Sequence, residues 1–274
     1  MTKYILLLLC ALTCISCSLD DLIIYPEQTD SYSFSTYIIP DQQRQLVTFD
    51  SGGNTLYGAY IRTRYAGDNP RFTILYCHGR ERDMTGYWFE VELHYLAGFD
   101  VLTFDYRGFG RSDGKATLEG LYADANAALN FMIDSLHVHP DSIVYHGVSL
   151  GSGPASYLAS EVHSPFRIIL ETPYSSADGW ADVIMPLNLP VSFVIDGNFD
   201  NMPFVRNFTA PLLVIHGGRD KVLPFEHHGQ VVFDAAPEPK ELVYLPEAGH
   251  ADILVYTGDR GYQYMMRNFI FTSR

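Results

Sequence analysis

The sequence has few cysteines, few basic residues and no long apolar run. Only 4 of its 274 residues are cysteine, and 18 Lys and Arg stand against 32 Asp and Glu, for a net charge of −14. A chain this acidic repels phosphate backbones, so we expect no nucleic-acid partner. So few cysteines cannot supply a disulfide framework, so a hydrophobic core must hold the chain together. Since 47% of the residues are hydrophobic, one globular domain is expected.

The apolar run nearest the start covers residues 4–15 and follows a single basic residue, Lys3. It is too short to span a bilayer core of about 30 Å, which takes about 20 residues in a helix. A short apolar run behind a positive charge and ahead of small residues is typical of a secretory signal. We therefore predict a signal peptide over residues 1–16 and an exported protein.

Residues 14–17, with the sequence Cys-Ile-Ser-Cys, resemble the lipobox of bacterial lipoproteins, although Cys14 stands where Leu is usual. The resemblance implies that Cys17 is lipidated and that the protein faces the periplasm or the exterior in the bacterial cell envelope. A membrane partner reached through this anchor is the corresponding expectation, with a tether over residues 17–40 and a folded domain over 41–274. The alternative is an ordinary cleaved signal peptide in which Cys17 is incidental.

Metal-binding and phosphate-binding patterns are also missing from the sequence. There is no H-E-x-x-H motif, and the adjacent pair His227 and His228 would point in two directions on one helix. The glycines at 108, 110 and 114 fit neither of the common phosphate-binding loops. We expect no metal and no cofactor.

The order of predicted elements favours an α/β fold. Residues 45–64 hold two alternating segments around a Ser-Gly-Gly-Asn turn, which predicts an antiparallel hairpin. Later runs, rich in β-branched and aromatic residues, suit buried parallel strands; they are residues 72–77, 101–104, 143–145, 168–170, 212–215 and 242–245. Helical stretches lie between them, most clearly at 117–136 behind a Thr117 cap. This alternation predicts a mostly parallel, doubly wound sheet.

A G-x-S-x-G pattern at residues 147–151 is the strongest local signal for chemistry. It comes directly after a predicted strand and directly before a helix-prone segment. In that context the glycines allow a tight turn that exposes the hydroxyl of Ser149 beside the positive end of a helix. We predict that Ser149 is a nucleophile.

A second match to the same letters, at residues 110–114, lacks that context. It lies several residues past its strand, in a polar turn, and the next helix begins only near Thr117. We therefore predict a structural turn role for Ser112.

A serine nucleophile needs a general base that an acid orients. Asp220 follows the predicted strand 212–215, and His250 follows the predicted strand 242–245. The chain order Ser149, Asp220, His250 is the order expected for a nucleophile on such a strand-to-helix turn of an α/β fold. We predict Asp220 as the acid and His250 as the base. Glu171, at the end of strand 168–170, is the alternative acid because a neighbouring strand end can aim a carboxylate at the same histidine.

Acyl transfer also needs hydrogen-bond donors for a tetrahedral oxyanion. The backbone N–H of Leu150 is the expected first donor, and the N–H of Arg80, in the loop after strand 72–77, is the expected second. For His78 in the same loop we expect a buried structural role.

With these residues placed, the chain resembles the α/β-hydrolase superfamily, in particular small serine hydrolases with little cap that occur as bacterial lipoproteins. The matching blocks are residues 76–79, 105–112, 147–151, 171–174, 216–220 and 248–250. The resemblance implies the same roles for Ser149, Asp220 and His250.

The function expected from the residues and the resemblance is hydrolysis of an ester or related small acyl compound. An exopeptidase and a thioesterase remain open as alternatives. So does a surface lipoprotein that binds a ligand without catalysing a reaction. The short segment between residues 171 and 212 predicts a minimal lid with apolar residues at Trp180, Ile184, Met185, Leu187 and Phe193.

Overall fold

A computed structural model describes residues 24–34, 38–67, 71–176 and 199–271. The predicted signal peptide, Cys17 and the five predicted lid residues lie outside these ranges, so they remain predictions. The described strands are β1 (Arg44–Ser51), β2 (Asn54–Ile61), β3 (Thr73–Cys77), β4 (Asp100–Phe104), β5 (Ile143–Val148), β6 (Arg167–Glu171), β7 (Leu212–Gly217) and β8 (Lys240–Leu245).

These strands form one sheet of eight in the order β1-β2-β4-β3-β5-β6-β7-β8. The β1-β2 hairpin is antiparallel and joins the rest through an antiparallel pairing of β2 with β4. All later neighbours run parallel. The predicted α/β-hydrolase fold, with antiparallel strands at the amino-terminal side of a mostly parallel sheet, is confirmed.

The helices that cover the sheet are α1 (Trp88–Ala97), α2 (Leu118–Asn130), α3 (Ser152–Tyr157), α4 (Met202–Val205), α5 (Gly229–Ala235) and α6 (Ile253–Phe271). Thr117 caps α2 as predicted, because its hydroxyl oxygen accepts a hydrogen bond from the Gly120 N–H at 3.0 Å. The predicted helix 117–136 continues beyond α2 in a π-helical turn, Phe131–Ser135. α6 is interrupted at Gly258, whose φ of 63° is left-handed.

The core has two layers, one on each face of the sheet. Leu75 and Cys77 of β3 face the layer that contains α2 and α3, whereas Ile74 and Tyr76 face the layer that contains α1 and α6. Every residue of β3 is buried. A parallel strand covered on both sides must be apolar on both sides, which is why the predicted strands read as continuous hydrophobic runs.

Part of the predicted tether, residues 17–40, lies in the described ranges and packs against the domain. Ile24 is fully buried and Ile39 nearly so. Gln28 forms a β-bridge with Gly110, and the Tyr32 hydroxyl donates a hydrogen bond to Asp105 at 2.5 Å. Contact with the domain therefore begins well before residue 41.

No helix within the described ranges is both long and apolar enough to cross a membrane.

The burial of α2 leads to a stability prediction. Leu121 is fully buried in the core, whereas Leu46 on β1 is 53% exposed. We expect Leu121→Ala to lower the free energy of unfolding by about 2 to 5 kcal/mol, because it removes buried methyl groups and leaves a cavity. The control Leu46→Ala should cost about 1 kcal/mol or less. Urea unfolding followed by circular dichroism measures both, and equal losses would contradict this account of the core.

Candidate active site

The three predicted triad residues lie together at the carboxyl edge of the sheet. Ser149 directly follows β5, Asp220 lies in the loop after β7, and His250 lies in the loop after β8. Parallel strands bring their carboxyl ends to one edge, so residues far apart in the chain can meet there. Residues 149 and 250 meet in this way.

Ser149 occupies a sharp turn between β5 and α3. Its φ is 50°, a left-handed conformation that is strained for a residue with a side chain. Two positions in the turn leave no room for a side chain. A Cβ at Gly151 would overlap the carbonyl oxygen of Cys77 on β3, and a Cβ at Gly147 would overlap the carbonyl oxygen of Gly151. The turn therefore holds Ser149 at the pocket, and the residue is 5% exposed.

A continuous chain of hydrogen bonds joins the three side chains. His250 Nδ1 lies 2.7 Å from Asp220 Oδ2, and His250 Nε2 lies 3.0 Å from Ser149 Oγ. Because the carboxylate accepts, Nδ1 is the donor and Nε2 is left to accept the proton of the serine hydroxyl. This arrangement has the geometry of an activated nucleophile.

Asp220 is held in place by its own loop. Its Oδ1 accepts hydrogen bonds from the backbone N–H groups of Val222 at 2.9 Å and Leu223 at 2.8 Å. His216 Nε2 lies 3.3 Å from Oδ2. Burial raises the pKa of Asp220, but the hydrogen bonds from His216 and His250 outweigh this and hold the pKa well below its ordinary value. The carboxylate is therefore ionised throughout the neutral pH range.

The loops that carry Asp220 and His250 are hydrogen-bonded to each other. The Gly218 N–H donates to the carbonyl of Leu245 at 2.8 Å, and the Arg219 N–H donates to the carbonyl of Ala248 at 2.8 Å. The Gly249 N–H donates to the Asp252 carboxylate. These backbone bonds position the acid and the base relative to one another before any substrate enters.

Glu171, the alternative acid, has other partners. The Tyr262 hydroxyl donates to Glu171 Oε2 at 3.0 Å, and His146 Nε2 lies 3.6 Å from the same oxygen. The hydrogen bond to His250 Nδ1 comes from Asp220 instead. Of the two predicted acids, the geometry therefore favours Asp220.

The predicted oxyanion donors both adjoin Ser149. Leu150 is the next residue in the 3-10 turn Ser149–Gly151, and Arg80 lines the same cavity as Ser149. The two donor roles remain predictions.

His78, in the same loop as Arg80, is fully buried, as expected. Its Nδ1 lies 2.7 Å from the carbonyl oxygen of Gly79, and burial lowers its pKa to about 4. Asp105, 3.6 Å from His78, accepts a hydrogen bond from the Met84 N–H at 2.6 Å. These contacts fix the start and end of the loop that lines the pocket.

Ser112, the other serine in a G-x-S-x-G pattern, has the predicted structural role. Its hydroxyl donates to the carbonyl of Asp105 at 2.7 Å and accepts from the Tyr57 N–H at 3.0 Å. It is 1% exposed. Its hydroxyl ties two loops together and is not available to a ligand.

The cavity beside Ser149 has a volume of about 180 Å³. Ionisable side chains from several elements line it, namely Arg80, Glu81, Arg82, Glu90, Glu171 and His250. Within the described ranges, no group of three or more His, Cys, Asp or Glu residues is arranged to hold a metal ion.

Sequence reasoning assigned no role to His216, Glu90 or Tyr262. His216 ends β7 four residues before Asp220, so the same strand-end signal that identified Asp220 could have found it. Glu90 on α1 and Tyr262 on α6 carry no local signal, because only the packing of these helices brings them near Glu171.

Comparison with known proteins agrees with this architecture. A sequence profile described as the alpha/beta hydrolase fold matches residues 73–170. The uncharacterized protein YfhR of Escherichia coli O157:H7 is 30% identical over 227 residues, which cover 81% of this chain and 78% of that protein. Human alpha/beta hydrolase domain-containing protein 17B is 30% identical over 230 residues, which cover 84% of this chain and 75% of that protein.

Among solved structures, the esterase Pf2001 of Pyrococcus furiosus matches with a TM-score of 0.71 at 21% identity. The match covers 89% of this chain and 97% of that one. At this level of identity the likeness concerns the fold, and it says nothing about which compounds this chain acts on.

Proposed function

Because this chain belongs to the α/β-hydrolase family, we propose that it is a serine hydrolase that cleaves an ester or related small acyl compound. The observation that carries the proposal is the hydrogen-bond chain from Asp220 through His250 to Ser149, with Ser149 in a strained left-handed turn. Each part of that arrangement has a chemical use in acyl transfer.

In the first half-reaction Ser149 Oγ attacks the carbonyl carbon of the substrate while its proton moves to His250 Nε2. Asp220 stabilises the imidazolium that forms, because its carboxylate stays ionised and accepts from Nδ1. Collapse of the tetrahedral intermediate breaks the bond to the leaving group, which takes the proton from His250. The product is an acyl-Ser149 ester.

In the second half-reaction a water molecule gives a proton to His250 Nε2 and attacks the acyl carbon. The bond to Ser149 Oγ then breaks, the proton returns to Ser149, and the free acid leaves. The N–H groups of Leu150 and Arg80 are the proposed donors to the oxyanion in both steps; the loss of one such donor costs about 10² to 10³ in rate in known enzymes.

Thioesters and peptides react through the same triad, so the triad alone does not distinguish these substrates. The alternative from a different functional class is a binding protein that catalyses no reaction. It would have no need of a general base that faces a serine hydroxyl.

Covalent labelling tests the nucleophile directly. We expect a fluorophosphonate probe to label the folded chain and mass spectrometry to locate the adduct on Ser149, because the hydroxyl of this serine borders the cavity and lies 3.0 Å from a histidine that an acid orients. Ser149→Ala should abolish labelling. An adduct on the peptide that contains Ser112, or no labelling of the folded chain, would contradict the proposal and favour the binding protein.

Substitution of the acid tests the orientation of His250. Asp220→Asn should lower kcat/KM for a phenyl ester by about 10³ to 10⁴, because the amide no longer holds the histidine in the reactive tautomer. Asp259→Asn, on the exposed side of α6, is a matched control and should retain activity. If Asp220→Asn remains as active as this control, the acid has been assigned wrongly and Glu171 becomes the candidate.

We also propose that the chain is exported to the bacterial cell envelope and anchored to a membrane through lipidated Cys17. The support is the signal-like start and the lipobox-like residues 14–17. Two acyl chains on Cys17 would hold the domain at a membrane surface without any spanning helix.

Metabolic labelling checks the anchor. Cells that express the full chain should incorporate labelled palmitate into it, and Cys17→Ala should remove the label, because this cysteine is the proposed acceptor. Cys14→Ala is the matched control and should keep the label. Equal labelling of the chain and of Cys17→Ala would exclude Cys17 as the site.

A further inference from the structure

Three carboxyl groups that the triad does not use line the cavity beside Ser149; Glu81 is exposed in the loop after β3, and the other two lie on regular elements. Glu171 ends β6, and Glu90 lies on α1; both line the cavity together with Ser149 and His250. The two carboxyl groups lie close enough for the charge of Glu171 to act on Glu90. Two acidic side chains therefore face a substrate that is bound at the nucleophile.

Glu171 is nearly buried, with 6% of its surface exposed, and its exposed part lies in the cavity. Oε2 accepts the hydrogen bond from Tyr262. Oε1 accepts no hydrogen bond from any described residue. That oxygen reaches the surface of the cavity, so a ligand in the cavity can donate a hydrogen bond to it.

The groups that face Glu171 come from five parts of the fold, and none of them is a lysine or an arginine within the described ranges. They are Tyr262 on α6, His146 on β5, Tyr76 on β3, Glu90 on α1 and His250 after β8. Glu90 in turn faces Tyr76 and Tyr87. Burial lowers the pKa of His146 to about 3, so this side chain is neutral and supplies no positive charge.

Burial also raises the pKa of both carboxyl groups, to about 7 in each case. Near neutral pH, then, each of these carboxyl groups is only partly ionised. A cation placed between them would favour their ionised forms, and they would in turn stabilise the cation. Arg80 and Arg82 reach the same cavity from the loop after β3.

We propose that Glu171 and Glu90 form a subsite for a protonated amine of the substrate, so that the preferred substrates carry an ammonium group near the scissile carbonyl. The preference in catalysis rests on the proposed hydrolase function, whereas the binding of the amine does not. Aminoacyl esters and related amino-acid derivatives have this chemistry. Glu171 is the primary contact, because its free oxygen faces the cavity.

The subsite makes the affinity for a protonated amine increase as the pH rises through about 7. Below about pH 7 the two carboxyl groups take up protons and lose their charge, so the affinity for an ammonium ligand falls. Above that pH both are ionised and the affinity is highest, as long as the amine itself stays protonated. A neutral ligand of the same shape should not follow this curve.

A binding experiment tests the subsite without hydrolysis. In a Ser149→Ala background, ligand-observed NMR titrations compare β-alaninamide, which carries an ammonium group, with butanamide, which has a methyl group in its place. We expect β-alaninamide to bind about tenfold more tightly at pH 8, as for a hydrogen bond to a charged group. The ratio should fall towards one at pH 5.5.

Three substitutions in the Ser149→Ala background show which side chain causes the preference for the ammonium ligand. Glu171→Gln and Glu90→Gln should each reduce the ratio of affinities at pH 8, with the larger loss for Glu171→Gln. Glu226→Gln is the matched control, since it removes the same charge from an exposed position outside the cavity and should leave the ratio unchanged. If Glu171→Gln does not fold, Glu90→Gln carries the comparison. Equal binding of the two amides, or an equal loss of preference in the control, would overturn the subsite.

A hydrolysis experiment separates this proposal from the proposed function. With Ser149 present, kcat/KM is measured for the phenyl esters of 3-aminopropanoate and butanoate. We expect the amino ester to be preferred by about tenfold. Turnover of both esters without preference would overturn the subsite and leave the hydrolase standing. A preference in amide binding with no turnover of either ester would leave the subsite standing and overturn the hydrolase.

Discussion

The left-handed turn at Ser149 is the constraint on which the rest of the site depends. β5 must pass into α3 within a few residues while α3 packs tightly against β3, and only glycine at 147 and 151 leaves room for this approach. The close packing forces a φ of 50° on Ser149 and holds its hydroxyl at the carboxyl edge of the sheet. The loops after β7 and β8 then bring Asp220 and His250 to a nucleophile whose position is already determined.

The pKa values of two carboxyl groups in the same site, those of Asp220 and Glu171, are shifted in opposite directions because their surroundings differ. Asp220 accepts hydrogen bonds from two backbone N–H groups and two histidines, which keep its pKa low in spite of burial. Glu171 receives one hydrogen bond from a tyrosine, so burial dominates and its pKa is raised to about 7. The first is suited to orient a base permanently, whereas the second can respond to the charge of a ligand.

Most of the fold and the members of the candidate triad could be predicted because their signals are local. Buried parallel strands are apolar on both faces, helix α2 begins with a Thr117 cap, and polar residues directly after such strands must gather at one edge. The same argument favoured Asp220 but could not exclude Glu171, since both follow parallel strands. The choice depends on which carboxylate reaches His250 Nδ1, and that is decided by the paths of two loops.

The sequence by itself determined the α/β class, the strand positions and the candidate residues Ser149, Asp220 and His250, because periodicity and strand-end chemistry are properties of short segments. Only the tertiary structure decided what surrounds them. Tyr262 reaches Glu171 across 91 residues of chain, and Glu90 joins the cavity because α1 and α6 pack together on one face of the sheet. Such contacts arise from packing between distant elements, which no local pattern of residues records.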